Sequence, residues 1–380
     1  MRAAEGDTLV VPPGTHAVDT LRLTKPMTLR GNGEAVLDGG GAGNVVRVTS
    51  PGVRIQGLTI RNSGMDLNAM DAGIFVEEAA NGFHLAHSYL DHNAWGVWVN
   101  GANAVVIREN RIHGNTDVVS PKRGNGVQLW KVSGALLADN EIWGTRDGVY
   151  IEVSHGANII HSNYFHDLRY GVHYMYSHRN EVTYNRTRDN RAGYALMFSD
   201  KLEVHHNRSV EDEDYGILMN YVRESKIHHN RVRASPEKCI FIFNSQHNDF
   251  HHNRLEGCRF GIHLTAGSNH NQLHENAFLG SRDQVKYVGN REQEWSRDGR
   301  GNYWSDYMGW DTDGDGIGDV PYRPNDMVDK LAWKYPLVRV LMKSPAVQTL
   351  RWVQRQFPVL RDPGVTDSHP LMSPPEGVAP

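Results

Sequence analysis

The chain has 380 residues, 40 Lys and Arg against 44 Asp and Glu, and a formal net charge of −4. That balance gives no basic footprint for nucleic acid, and no run of about 18 apolar residues exists to span a membrane as a helix. There are 21 His, 15 Tyr and 11 Met but only 2 Cys.

Met1 leads directly into Arg2-Ala-Ala-Glu-Gly-Asp-Thr-Leu-Val-Val-Pro-Pro-Gly-Thr15. We expect this to be the first strand of a mature domain from which any export signal has been removed. Leu9–Val11, Met27–Leu29 and Val45–Val48 are predicted strands of the opening coils, and the first coil needs a cap because an unpaired edge invites aggregation. Across residues 51–157, Leu58, Ser88, Asn110 and Asn140 occupy one recurring position, with steps of 30, 22 and 30 residues. The two long steps predict loop insertions near Ser63–Ala72, which holds Met65, Asp66, Met70 and Asp71, and near Asn115–Gly124. Insertions in repeat folds project from one face and often serve binding.

From Asn158 to Phe278 the chain repeats one phrase: an apolar residue, two polar residues, an asparagine. It reads Ile160-His-Ser-Asn163, Val182-Thr-Tyr-Asn185, Val204-His-His-Asn207, Ile227-His-His-Asn230, Phe250-His-His-Asn253 and Leu273-His-Glu-Asn276, with the asparagines 22 or 23 residues apart. A second phrase keeps the same step: Gly148-Val-Tyr-Ile, Gly171-Val-His-Tyr, Gly193-Tyr-Ala-Leu, Gly216-Ile-Leu-Met, Cys239-Ile-Phe-Ile and Gly261-Ile-His-Leu. A fixed period in this range marks a repeat architecture. Short runs alternating apolar and polar residues, bounded by Asn, Gly, Ser and Asp, are strand and turn chemistry. The prediction is all-β: a right-handed parallel β-helix of about 22–23 residues per coil, each coil stacked about 4.8 Å above the last. Length alone would suggest two or three domains, but a solenoid grows by adding coils. The recurring Asn should form an inward ladder of amides, and the recurring Gly a turn with positive φ or no room for a Cβ. Cys239 and Cys258 fall about one coil apart but out of vertical register, which leaves them as free thiols.

Beyond Phe278 the period fades. We divide the chain into a β-helix (1–280), an Asp/Gly-rich calcium-loop-like segment (281–337) and an amphipathic helix with an extended tail for partner docking (338–380). The helix is predicted over 338–357, with Leu341, Val347, Leu350, Val353 and Phe357 on one face and Arg339, Lys343, Arg351 and Arg355 making it basic.

Three constellations could carry chemistry. In Asp311-Thr-Asp313-Gly-Asp315-Gly-Ile317-Gly-Asp319, oxygen ligands alternate and Gly stands sixth, like the front of an EF-type calcium loop. Asp311, Asp313, Asp315 and Asp319 would give carboxylates and Ile317 its carbonyl, although the usual acid at the twelfth position is Tyr322. Before each Asn, histidines form columns: His161, His205, His228, His251 and His274 in one, His206, His229 and His252 in the next. Imidazoles one rung apart could share a metal ion, with no acidic partner evident beside them. On the Gly phrase, the second and fourth residues should face outward. That sets Met175 beside Met197 on the surface, with His173 two residues from Met175 and small Ala195 leaving room. Two thioethers and an imidazole suit Cu(I); the same patch could dock a partner.

The repeated Asn phrase, Gly301-Asn-Tyr-Trp-Ser-Asp-Tyr307, the Asp/Gly loop, Tyr335-Pro-Leu337 and the tail Gln356-Phe-Pro-Val-Leu-Arg-Asp-Pro-Gly-Val-Thr-Asp-Ser-His-Pro-Leu371 together resemble the NosD family over nearly the whole chain. The resemblance implies a periplasmic accessory protein of nitrous oxide reductase maturation. It also implies partners: an ATP-binding-cassette permease with its ATPase, a copper chaperone lipoprotein, and nitrous oxide reductase as client. No set of catalytic residues carries over. The expected function is therefore a docking platform that delivers copper, and possibly sulfur, without being an enzyme. The alternatives are a polysaccharide lyase or epimerase, which would need clustered outward carboxylates where only Glu152 stands, and a surface adhesin.

Overall fold

A computed structural model describes residues 4–265, 267–325, 344–356 and 364–378, and within 326–343 only residues 329, 333, 335, 337 and 341. The chain winds as a parallel β-solenoid. A full coil has three strands, as in Glu181–Thr183, Arg186–Arg188 and Ala192–Met197. The third strand of each coil builds one sheet of 12 parallel strands, from Leu21–Leu23 to Asp283–Val288. The other two build two walls that meet at the asparagine corner.

The register follows the repeat. Val182 stands between Ile160 and Val204, and Val172 between Val149 and Tyr194. All six are buried, so the apolar member of each phrase forms a continuous core column. The asparagine ladder runs through Ser88, Asn110, Asn140, Asn163, Asn185, Asn207, Asn230, Asn253, Asn276 and Asn302. Leu58 also holds the ladder position, since its N–H reaches the Ser88 hydroxyl. Each amide oxygen accepts the backbone N–H of the Asn one coil before, and each amide NH2 donates back to backbone carbonyls. Buried turn groups are thereby paired without water. To aim the Asn inward, the residue before it adopts a left-handed conformation, at φ 54° to 56° for Ser162, Tyr184 and His206.

Glycine of the Gly phrase is needed for space rather than for positive φ. A Cβ at Gly193 would sit 2.7 Å from the Asp212 carboxylate and 2.8 Å from the Gly216 carbonyl. The same crowding explains why the cysteine expectation fails. Cys239 and Cys258 form a disulfide, with Cα atoms 5.7 Å apart. Cys239 takes the glycine position, so its side chain points into the corner. Cys258 belongs to an inward corner column with Leu168, Asn190, Asp212 and Ser235, and it lies across from Cys239 of the preceding coil. The bond joins two neighbouring columns, so it does not need the vertical register that the two cysteines lack.

Both insertions are present: Asn62–Asp71 carries no strand, and Asn115–Asn125 holds one short 3-10 turn at Ser120–Lys122. They touch, the Asn115 amide lying 3.7 Å from the Met65 sulfur. At the far end, Phe278 stacks on Trp304 at 4.1 Å and closes the core. The tail does not hang free there. Val365–Thr366 pairs with Gln293–Glu294, and buried Asp367 accepts from the Trp304 indole and from Asn302. An α-helix occupies Pro345–Gln356. Leu341 and Val353 are exposed and Val347 half-buried, whereas Phe357, Arg339, Lys343 and the side chains of Leu350, Arg351 and Arg355 lie outside the described residues.

Candidate functional site

Met175 pairs with Met197 across adjacent strands of the 12-stranded sheet, and His173 with Ala195. The two methionines are half-buried. His173 departs from the expected open surface: it is 5% exposed. Its ring is flanked by Tyr150 at 4.5 Å and Tyr170 at 5.1 Å between centroids. The Arg169 guanidinium lies over Tyr170 and grips Asp147 with two bonds of 2.8 and 2.6 Å. The Asp147 oxygen that takes the shorter of these, Oδ2, also lies 2.9 Å from His173 Nδ1.

Burial alone would raise the Asp147 pKa, but hydrogen bonds from Arg169 and His173 hold it below the ordinary carboxylate value. An ionised Asp147 only accepts, so Nδ1 of His173 carries the proton and Nε2 presents its lone pair. That Nε2 is buried and has no hydrogen-bond partner. A carboxylate that orients a histidine in this way is the usual second layer of a metal ligand. Beside it, Glu152 is raised in pKa by burial, and it lies in register with Met175. The sheet register thus sets one oriented imidazole and two thioethers at neighbouring positions, donor types that suit a soft ion. Asp147 and Arg169 were missed from sequence, although counting the column just before each Gly would have aligned Asp147 with Tyr170.

The histidine columns lie on a different wall, outside the asparagine ladder. His205, His228, His251 and His274 stack at 4.9, 4.7 and 5.5 Å, and His206, His229 and His252 at 4.9 and 4.9 Å. His161 meets Tyr184 edge-on instead. The expectation of no acidic partner is overturned. Glu181 lies 3.1 Å from His205 Nε2, Glu203 2.9 Å from His228 Nε2, and Asp249 3.1 Å from His274 Nε2. Each acid sits two residues before the histidine position, one coil earlier, where column counting would again have found it. A further cluster went unread: Asp91 holds His113 Nδ1 at 2.8 Å and His92 Nδ1 at 2.9 Å.

In the Asp/Gly loop, ligand atoms of Asp311, Asp313 and Asp315 lie within 4.8 Å of one another. Asp311 accepts from the N–H groups of Gly314 and Gly316, which lowers its pKa. Asp319 turns to Thr312 instead, and Tyr322 donates to Asp306. Ile317 bridges the tail at Leu371.

A model of the family described as "Periplasmic copper-binding protein (NosD)" matches residues 108–309. The chain is 50% identical over 363 residues to the "Probable ABC transporter binding protein NosD" of Pseudomonas aeruginosa, covering 92% of this chain and 85% of that one. It is 46% identical over 364 residues to the protein of the same name from Stutzerimonas stutzeri, covering 92% and 83%. Neither name is that of an enzyme. Among solved structures, the A-module of mannuronan C-5 epimerase AlgE6 from Azotobacter vinelandii superposes with a TM-score of 0.62 at 14% identity, over 78% of this chain and 90% of that one. At that identity the likeness is one of fold.

Proposed function

Because this chain belongs to the NosD family of periplasmic copper-binding proteins, we propose that it is a docking platform that receives and hands on copper as cargo during assembly of the copper centres of nitrous oxide reductase. The observation that carries the reading is His173: Nδ1 is fixed on Asp147, Nε2 is buried and unpartnered, and the strand brings Met175 and Met197 alongside. Imidazole and thioether donors favour Cu(I), and such a site would shield it from water. Tyr176, Phe198 and Tyr221 stack at 5.0 and 5.1 Å directly after the methionine column. Tyr176 and Tyr221 are exposed. That apolar strip would seat the copper chaperone lipoprotein or the client beside the ion.

The names of the relatives support docking on an ABC transporter. We assign that contact, with the permease and through it the ATPase, to the helix Pro345–Gln356 and its neighbour Leu341. Calcium held by the grouped carboxylates of Asp311, Asp313 and Asp315 would stiffen the cap.

The test is anaerobic Cu(I) titration against a competing chelator. Met175→Leu/Met197→Leu keeps the volume but removes the sulfur, and should weaken binding by about tenfold or more; Asp147→Asn should weaken it by about 10- to 100-fold. Equal affinity in the double variant would remove the patch as the site. Calcium added to the same samples should raise the melting temperature if the loop binds it.

A further inference from the structure

The histidine columns have a geometry that stacking alone does not require. In three successive coils the neighbours His205–His206, His228–His229 and His251–His252 bring their Nδ1 atoms to 2.8, 2.9 and 3.1 Å. The first of each pair ends a strand; the second sits in the left-handed corner, at φ 55°, 53° and 53°. The asparagine that follows imposes that corner, so the ladder inside aims the rings outside.

Two neutral imidazoles can share one proton between facing Nδ1 atoms, but the first ring of the pair has its tautomer set from behind. Glu203 accepts from His228 Nε2–H, which leaves a lone pair on Nδ1; Glu181 does the same for His205. The lone pair of His228 therefore points at His229. Ligand atoms of His228, His229 and His251 all lie within 4.8 Å of one another. The three residues are half-buried, open enough for an ion to enter.

We propose that His228, His229 and His251 form a second metal site for a borderline divalent first-row ion of the Cu(II) or Zn(II) kind, with Glu203 orienting His228. Donors that are all imidazole suit such ions and not Ca²⁺ or Mg²⁺. The site is on a different wall from His173, and it uses nitrogen where that patch offers sulfur. The pairs His205–His206 and His251–His252 repeat the motif one coil to either side, so the wall offers an ion successive positions about 4.8 Å apart.

The experiment uses the full chain, free of any histidine tag, in the Met175→Leu/Met197→Leu background so that the His173 patch does not contribute. Cu(II) and Zn(II) are titrated with a competing chelator, and Cu(II) is followed by electron spin echo modulation. We expect couplings from more than one imidazole nitrogen. His229→Gln/His251→Gln should weaken binding by about 100-fold, and Glu203→Gln by about 10- to 100-fold through loss of the tautomer control. Each variant is checked by circular dichroism and melting temperature. Couplings from one imidazole or none in the unaltered ladder would overturn the proposal whether or not the variants fold. So would unchanged affinity in a folded His229→Gln/His251→Gln protein. Failure here leaves the Cu(I) result at His173 standing, and the converse holds.

Discussion

Two of the solenoid's corners hold buried polar columns that are built differently. At one, the same residue recurs from Asn110 to Asn302, broken by nothing, and every amide finds the next. At the other, the column reads Leu168, Asn190, Asp212, Ser235 and Cys258, and no two successive coils solve the problem alike. There Asn190 donates twice to Asp212, whose other oxygen accepts from Thr187 and Ser209; two coils on, a disulfide takes over. A repeated amide is self-complementary, since it is donor and acceptor at once, and so it can run indefinitely. A carboxylate only accepts and therefore ends a ladder.

The regular corner should be the more brittle to a single break. Asn207→Leu removes the acceptor for the Asn185 N–H and amide and the donor to Asn230 Oδ1, all buried. The Asn185 amide and Asn230 Oδ1 keep other partners, so one buried N–H is left unpaired and four further bonds are lost, and we expect a loss of about 4 kcal/mol in chemical denaturation. Substitution by a hydrogen-bonding Thr should cost clearly less. If Leu is tolerated as well as Thr, the ladder contributes shape and not bonding.

The irregular corner should depend on redox state. Reduction, or Cys239→Ser/Cys258→Ser, opens a link spanning a sequence separation of 19 and should cost about 3 kcal/mol. A midpoint unmoved by reductant would show that packing alone holds this corner. The bond also suits an oxidising compartment, as expected of a periplasmic family.

The smallest effect is one of pH. Burial raises Asp212 to about 6, and Asp367 in the cap likewise to about 6. For an acid raised on folding, the folded state holds the proton more tightly between the unfolded pKa, about 4, and about 6. Stability is therefore greatest below that window and falls as pH rises through it. Asp212→Asn cannot ionise, so its stability relative to the wild type should rise by about 2 to 3 kcal/mol from pH 4 to pH 7. A constant difference across that range would mean that Asp212 keeps an ordinary pKa.

The coil length, the parallel register, the asparagine ladder and the Met175–Met197 pair could all be read by counting, because a solenoid converts a sequence step of 22 or 23 into contact. The same arithmetic would have reached Glu203 behind His228 and Asp147 beside His173, had every column been counted and not only those after Gly and before Asn.

What the linear order left undecided are contacts between columns. The Cys239–Cys258 bond joins two different positions of adjacent coils, Arg169 folds over Tyr170 to seal His173, and the tail from Val365 returns to bury Asp367 against Trp304. Periodicity states which residues share a height and a wall. It says nothing of how far a side chain leans sideways, or of which non-repeating segment comes back to close the end. Those depend on the space left by neighbouring side chains, which exists only once the coils are stacked.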